Sequence, residues 1–218
     1  MIKALIFDFD GLILDTETPT YLAWEEIYQS YSCSLPLAKW VECIGSAETF
    51  DPHEYLEELA GQRLDRAELR EKRRARFAQM MANHSVLPGV AQHMADAQTL
   101  GIKLAVASSS PRSWVRGHLS RFGLESYFDT IKCAEDVKQI KPAPDLYLAA
   151  LEALDIAPRE AVVFEDSLNG VLAAKRAGVF CVAVPNSLMR EFAYELADMR
   201  LSSLADISLR QLLLKIVY

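Results

Sequence analysis

The sequence predicts an α/β fold: a doubly wound parallel sheet with helices on both faces, into which an all-helical segment is inserted. Three observations carry this. From residue 86 onward, short β-branched apolar runs alternate with stretches of helical periodicity. Those runs are apolar throughout rather than alternating, the pattern of strands buried on both faces. Residues 18–85, by contrast, show helical spacing and no convincing strand.

The elements follow in order. The first run, residues 2–9, delivers Asp8 and Asp10 at its C-terminal end and stops at Gly11. Helical patterns cover 21–31, 51–60 and 67–81. They begin right after the first strand and end before the second. The expected division is therefore a Rossmann-like α/β core of residues 1–15 plus 86–218 and a helical cap of residues 16–85. The cap would hang over the strand C-terminal ends, where such sheets bind ligands and where an insertion can act as a lid. Further strands are expected at 102–107, 161–164 and 179–184, and helices at 90–100, 112–122, 146–154 and 168–177. Gly101, Gly123 and Gly178 stand where helix ends favour a residue tolerant of left-handed backbone.

Composition narrows the function classes. The chain has 218 residues, enough for one large or two small domains, and is 51% hydrophobic, enough for a substantial core. A net charge of −7 leaves no electrostatic footprint for nucleic acid or an anionic membrane. No apolar run approaches the roughly 18–20 residues of a spanning helix, and no targeting segment is expected ahead of the first strand. Cys33, Cys43, Cys133 and Cys181 lie far apart without CxxC pairing and read as free thiols of a reducing compartment. A cytoplasmic monomer with a small-molecule partner is the expectation.

The chemistry starts at Asp8 and Asp10. On a continuing strand they would point to opposite faces. If the chain turns at Gly11, both crowd one mouth, where their repulsion calls for a cation or a shared proton. That suggests a Mg²⁺-dependent site with one carboxylate as nucleophile and the other as acid/base, although an ordinary edge loop would read the same way. Ser108 and Ser109 close the second strand and can donate to phosphate oxygens at a helix N-terminus, or simply cap that helix. Lys141, in Lys141-Pro142-Ala143-Pro144-Asp145, is a cation on a rigid mount just before a helix. Glu165 and Asp166 end an apolar strand, where buried carboxylates are costly without a charge partner. A divalent metal shared with Asp8 and Asp10 resolves that cost, and Gly170 permits a tight loop beside them. Each signal is weak alone; four of them, at strand ends and in this order, point to one site. The basic run at 70–76, interleaved with Glu68 and Glu71, reads as a solvated helix face rather than a substrate contact.

Taken together, Asp8-Phe9-Asp10-Gly11 with Asp15-Thr16-Glu17, then Ser108, Lys141-Pro142 and Glu165-Asp166-Ser167 with Gly170, resemble the haloacid-dehalogenase (HAD) superfamily hydrolases that carry a helical cap after the first strand. The β-phosphoglucomutase-like and phosphoglycolate-phosphatase-like branch is the most similar. The resemblance implies that Asp8 attacks phosphorus and becomes an aspartyl phosphate, and that Asp10 protonates the leaving alkoxide and then deprotonates water. Gly11, Ser108, the Ser109 backbone and Lys141 would hold the phosphoryl oxygens. Asp8, Asp166 and the Asp10 main-chain carbonyl would bind Mg²⁺, with Glu165 reaching it through water. Thr16 would hydrogen-bond Asp10 with the cap shut or serve as a helix N-cap, and Asp15 would cap or anchor the hinge.

The alternatives differ at named positions. A metal-free dehalogenase would lack Asp10 and the Glu165-Asp166 pair. A phospho-receiver module has no need of a helical cap. Mutases of the similar branch carry a histidine a few residues after the Thr16 position and an arginine just beyond a cap glycine. Here Thr18-Pro19-Thr20-Tyr21 has no histidine and Ile44-Gly45-Ser46-Ala47-Glu48 no cation. The expected activity is therefore a phosphatase acting on a small phosphorylated metabolite such as a sugar phosphate. Thr20, Trp24, Ser46, Glu48, Phe50 and His53 are the candidate specificity residues; His84, His93 and His118 receive no chemical role.

Overall fold

Six parallel strands form one sheet in the spatial order β3–β2–β1–β4–β5–β6. In chain order they are β1 (Ala4–Phe7), β2 (Lys103–Ala107), β3 (Thr130–Lys132), β4 (Ala161–Glu165), β5 (Phe180–Ala183) and β6 (Met199–Arg200). This is a computed structural model; it describes residues 1–41, 44 and 50–216. The strands run outward from β1 in both directions, so the order reverses beside it and opens a crevice at its C-terminal end. The ends of the three central strands are level, since Phe7 pairs with Val106 on one side and with Phe164 on the other. The backbone N–H of Asp8 still donates to the Phe164 carbonyl, 3.0 Å away.

Strand side chains alternate between two apolar layers. Ala4, Ile6, Ala105 and Val163 face one layer, built with α7 (Asp145–Leu154) and α8 (Leu168–Arg176). Leu5, Phe7, Val106 and Phe164 face the other, built with α5 (Val90–Thr99), α6 (Arg112–Arg121) and α9 (Leu209–Lys215). Burial on both faces is why these strands read as unbroken apolar runs. Phe7 and Phe164 meet ring to ring at 5.0 Å in the second layer.

Between β1 and α5 the helices among the described residues are α1 (Glu17–Ser30), α2 (Leu37–Val41), α3 (Pro52–Ala60) and α4 (Arg66–Met81), and no strand of the sheet interrupts them. Local chemistry sets the ends of two of them. Asp51 accepts from His53 N–H with Pro52 in the first turn of α3, and Asp65 accepts from the Ala67 and Glu68 N–H groups of α4. Tyr21, Trp24, Tyr28, Leu56 and Leu69 pack together and join the first apolar layer. The segment leaves and returns through one antiparallel bridge between Leu14 and Val86, and Leu87 N–H donates to the Ile13 carbonyl at 2.9 Å.

The strands and helices expected from periodicity are present within a few residues of their predicted ends. The pattern missed α2, α9, β3 and β6, because helices of five and seven residues complete fewer than two turns and strands of two and three residues form no apolar run. Helix α1 starts at Glu17, four residues before the expected position, since Pro19 obscures a first turn that tolerates it. Cys33, Cys133 and Cys181 are free thiols; Cys43 lies outside the described residues.

Gly89 precedes α5 with φ +85°, and a Cβ there would stand 2.3 Å from the backbone of Leu204 and Ala205. Gly89→Ala should therefore lose at least about 1–2 kcal/mol from the left-handed backbone alone. Urea unfolding measures this, and a loss under about 0.5 kcal/mol would show that the two segments yield freely.

Candidate active site

The turn after β1 assembles the site. Gly11 adopts φ +80°, and its N–H closes the turn on the Leu14 carbonyl at 2.8 Å. A Cβ at this position would lie 1.8 Å from Asp166 Oδ2 and 2.8 Å from Asn186 Nδ2, so space as well as conformation demands glycine. The turn thereby presses the end of β1 against the end of β4.

A buried charge cluster results. Lys141, 1% exposed, points its Nζ between two carboxylates, donating to Asp8 Oδ1 and, at 2.6 Å, to Glu165 Oε1. The Tyr147 hydroxyl donates to that same Glu165 oxygen. Ser167 supplies Glu165 Oε2 with its N–H at 3.2 Å and its hydroxyl at 3.0 Å. Gly170 is explained by space: a Cβ there would sit 1.8 Å from Glu165 Oε1. Asp166 accepts Asn186 Nδ2 on Oδ2 at 2.6 Å, whereas its buried Oδ1 has no partner among the described residues. Tyr194 holds the Asp166 main-chain carbonyl through its hydroxyl.

Three buried carboxylates thus face one ammonium. Burial, then the Glu165 charge, pushes Asp8 up to about 8 against the pull of Lys141. Burial, then Asp8 and Glu165, lifts Asp166 well above the usual carboxylate range. Lys141 is raised instead, its two carboxylate partners outweighing its burial. Asp8, Glu165 and Asp166 each offer an oxygen within 4.8 Å of the others. Hard oxygen donors, surplus negative charge and an orphaned Asp166 Oδ1 fit a small divalent cation.

Asp10 stands apart from this cluster, which corrects the expectation of four converging carboxylates. Its side chain turns the other way. Oδ1 accepts from Thr16 Oγ1 at 2.8 Å and from Trp114 Nε1 at 2.9 Å. Oδ2 accepts from Ser110 Oγ at 2.6 Å and more distantly from Ser108 Oγ at 3.4 Å. Any share of Asp10 in a metal site falls to its main-chain carbonyl. An indole N–H can only donate, so Oδ1 stays an acceptor. Oδ2 faces two hydroxyls that can turn, and it is the oxygen able to carry a proton. Thr16 makes no side-chain cap bond to α1, and Asp15 takes that work, accepting Thr18 N–H at 3.0 Å.

A cavity of about 800 Å³ opens in front of Asp10. The sheet side supplies Ser110, Ser113 and Trp114; the helical segment supplies Glu17, Thr20, Arg73, Arg74 and Phe77. Burial, then Asp10 and Asp8, raises half-buried Glu17 to about 8. The basic run is thus only partly a solvated face, since Arg73 and Arg74 enter the cavity wall. Of the expected specificity residues, Thr20 lines this cavity. Trp24 is buried with His53 edge-on to it at 4.6 Å, and Phe50 packs on Tyr55 at 5.5 Å. Gly45, Ser46, Ala47 and Glu48 lie outside the described residues. Ser109 follows β2, half-buried beside Ser108.

Sequence reasoning assigned no role to Ser110, Trp114, Tyr147 and Asn186. Ser110 is the third residue of a serine run and Asn186 follows a strand end, so both carried a positional signal. Trp114 and Tyr147 carried none, being ordinary aromatic positions of α6 and α7. Trp114 is held by His118 at 4.4 Å and Phe77 at 5.6 Å between ring centres.

Comparison with known proteins bears on this geometry. The model of the haloacid dehalogenase-like hydrolases matches residues 5–184. YhcW of Bacillus subtilis (strain 168) is 49% identical over 213 residues, covering 98% of this chain and 97% of its own. The phosphorylated carbohydrates phosphatase of Thermotoga maritima is 34% identical over 188 residues, covering 81% and 82%. The crystal structure of CbbY from Rhodobacter sphaeroides in complex with xylulose-(1,5)bisphosphate superposes with a TM-score of 0.76 at 30% identity, covering 97% of this chain and 99% of that one. Likeness of this extent places the chain in the haloacid dehalogenase-like hydrolase family, as a hydrolase of the phosphatase class.

Proposed function

We propose that this protein hydrolyses monoesters of small phosphorylated metabolites, sugar phosphates foremost, with Mg²⁺ bound and through an aspartyl phosphate on Asp8. The observation that carries the proposal is the contrast between two carboxylates two residues apart. Asp8 is locked against Lys141 beside Asp166, whereas Asp10 faces the cavity among hydroxyls and an indole. One is set as a nucleophile and the other as a proton carrier. The Thermotoga maritima relative, a phosphatase of phosphorylated carbohydrates, and CbbY, which holds a sugar bisphosphate, support the substrate class.

The residues divide the work as follows. Asp8, Asp166 and the Asp10 carbonyl would hold Mg²⁺, with Glu165 near; the bound ion would neutralise charge on the phosphoryl oxygens. An Asp8 carboxylate oxygen bonds to phosphorus as the phosphorus–ester oxygen bond breaks. The proton on Asp10 Oδ2 passes to the departing oxygen. Ionised Asp10 then takes a proton from a water whose oxygen bonds to phosphorus, the bond from phosphorus to Asp8 breaks, and inorganic phosphate leaves. Lys141 keeps Asp8 oriented throughout, while Ser108 and the Ser109 backbone receive phosphoryl oxygens; the Gly11 N–H, engaged with the Leu14 carbonyl, shapes the turn instead of binding phosphate as expected from the sequence. Thr16 ties Asp10 to the start of the helical segment, which serves as the cap. Water is the acceptor in place of a second sugar hydroxyl, in keeping with the missing histidine after Thr16.

Three measurements test this. Exhaustive chelation should abolish turnover of p-nitrophenyl phosphate and added Mg²⁺ should restore it; full activity without a divalent ion would reject the metal. Asp8→Asn should form no phosphoenzyme, whereas Asp10→Asn should accumulate it with this good leaving group and lose about 10²–10⁴-fold in hydrolysis; an active Asp8→Asn protein would end the covalent mechanism. Trp114→Phe keeps the ring and removes one donor to a charged oxygen, so kcat should fall roughly tenfold or more with KM little changed. Equal changes in both constants would make the indole a packing residue only.

A further inference from the structure

The five basic side chains of α4 between positions 70 and 76 do not behave alike. Arg70 Nε donates to the Arg66 carbonyl at 3.0 Å, Lys72 pairs with Glu68 at 2.7 Å, and Arg76 grips Glu26 of α1 at 2.7 Å. Those three are solvated or tie helices together. Arg73 and Arg74 have no hydrogen-bond or carboxylate partner among the described residues, and both line the cavity in front of Asp10. Phe77, one turn further on the same face, packs on Trp114, whose indole donates to Asp10. One stripe of α4 therefore shares a cavity wall with Asp10 and brings to it two guanidinium groups unpaired among the described residues. Burial and the adjacent Arg74 charge both disfavour the charged form of Arg73, a cost that an anion between them would remove.

We propose that Arg73 and Arg74 form an anion subsite for a second phosphate group, at the end of the substrate remote from the phosphoryl group transferred to Asp8. The proposal rests on the phosphatase reading above and extends it to a class of substrate, small bisphosphorylated polyols or sugars. Guanidinium forks match phosphate oxygens in bidentate geometry and, unlike ammonium groups, need little dehydration to do so. The cavity volume lies within the roughly 300–1,000 Å³ typical of small-molecule sites. Thr20 and Glu17, also in the wall, offer hydrogen bonds to hydroxyls of the intervening carbon chain. The absence of a cation at Ala47 counted against a bisphosphate on sequence grounds; α4 supplies two from elsewhere.

The test compares fructose 1,6-bisphosphate with fructose 1-phosphate as competitors of p-nitrophenyl phosphate hydrolysis. The wild-type enzyme should bind the bisphosphate at least tenfold more tightly. The double variant Arg73→Gln/Arg74→Gln should bring the two within about twofold, and Arg73→Lys/Arg74→Lys should restore part of the preference. A wild-type enzyme without the preference, or a glutamine variant that keeps it, would overturn the subsite. If the wild-type protein hydrolyses no phosphate ester, the phosphatase reading fails by itself. Calorimetric binding of the same two sugars, wild type against the glutamine variant, then decides the subsite under the same two criteria.

Discussion

The Lys141 ammonium, buried between Asp8 and Glu165, is the interaction on which the rest of this site depends. A cation so enclosed loses its hydration and persists only with its hydrogen bonds satisfied and its charge matched. The fold supplies this from several directions at once. Strand β1 brings Asp8, β4 brings Glu165, α7 adds the Tyr147 hydroxyl, and the first turn of α8 adds both donors of Ser167. Glu165 accepts four protein hydrogen bonds, so its position is over-determined and Lys141 inherits that rigidity. Removing Lys141 would leave Asp8 and Glu165 buried together without their cation, an imbalance worth about 3–5 kcal/mol.

This anchoring leaves a directed imbalance. One ammonium cannot neutralise three carboxylates, and the remaining negative charge gathers at Asp8 and Asp166, beside the unpartnered Asp166 oxygen. Glycine at 11 and at 170 lets carboxylates approach where any side chain would collide. Close packing of like charges is unfavourable for stability and useful for holding a cation.

The two aspartates that follow β1 are separated in surroundings by the turn between them. Asp8 belongs to the sheet and its salt links. Asp10 belongs to the boundary between sheet and helices: Thr16 reaches it from the start of α1, Ser108 and Ser110 from the end of β2, and Trp114 from α6. Through Trp114 and Phe77, α4 also touches this boundary, so the cavity has one wall from the sheet side and one from the helical segment. The Leu14–Val86 bridge ties the two crossings of that boundary to each other.

Much of this was legible in one dimension. Unbroken apolar runs ending in Asp8, Ser108 and Glu165-Asp166 marked buried parallel strands and the edge at which their chemistry gathers, because a period of two or its absence is a local property of the chain. Lys141 was legible for a related reason, a cation followed by two prolines just before a helix. The orientation of Asp10 away from the other carboxylates, the saturation of Glu165 and the indole of Trp114 were decided only by tertiary structure. So was the division of the basic run, in which Arg73 and Arg74 enter the cavity while Lys72 and Arg76 pair elsewhere. Periodicity identifies the apolar stripe of a helix, but which part of its polar surface meets another element depends on how helices and sheet pack against one another, and no local spacing encodes that angle.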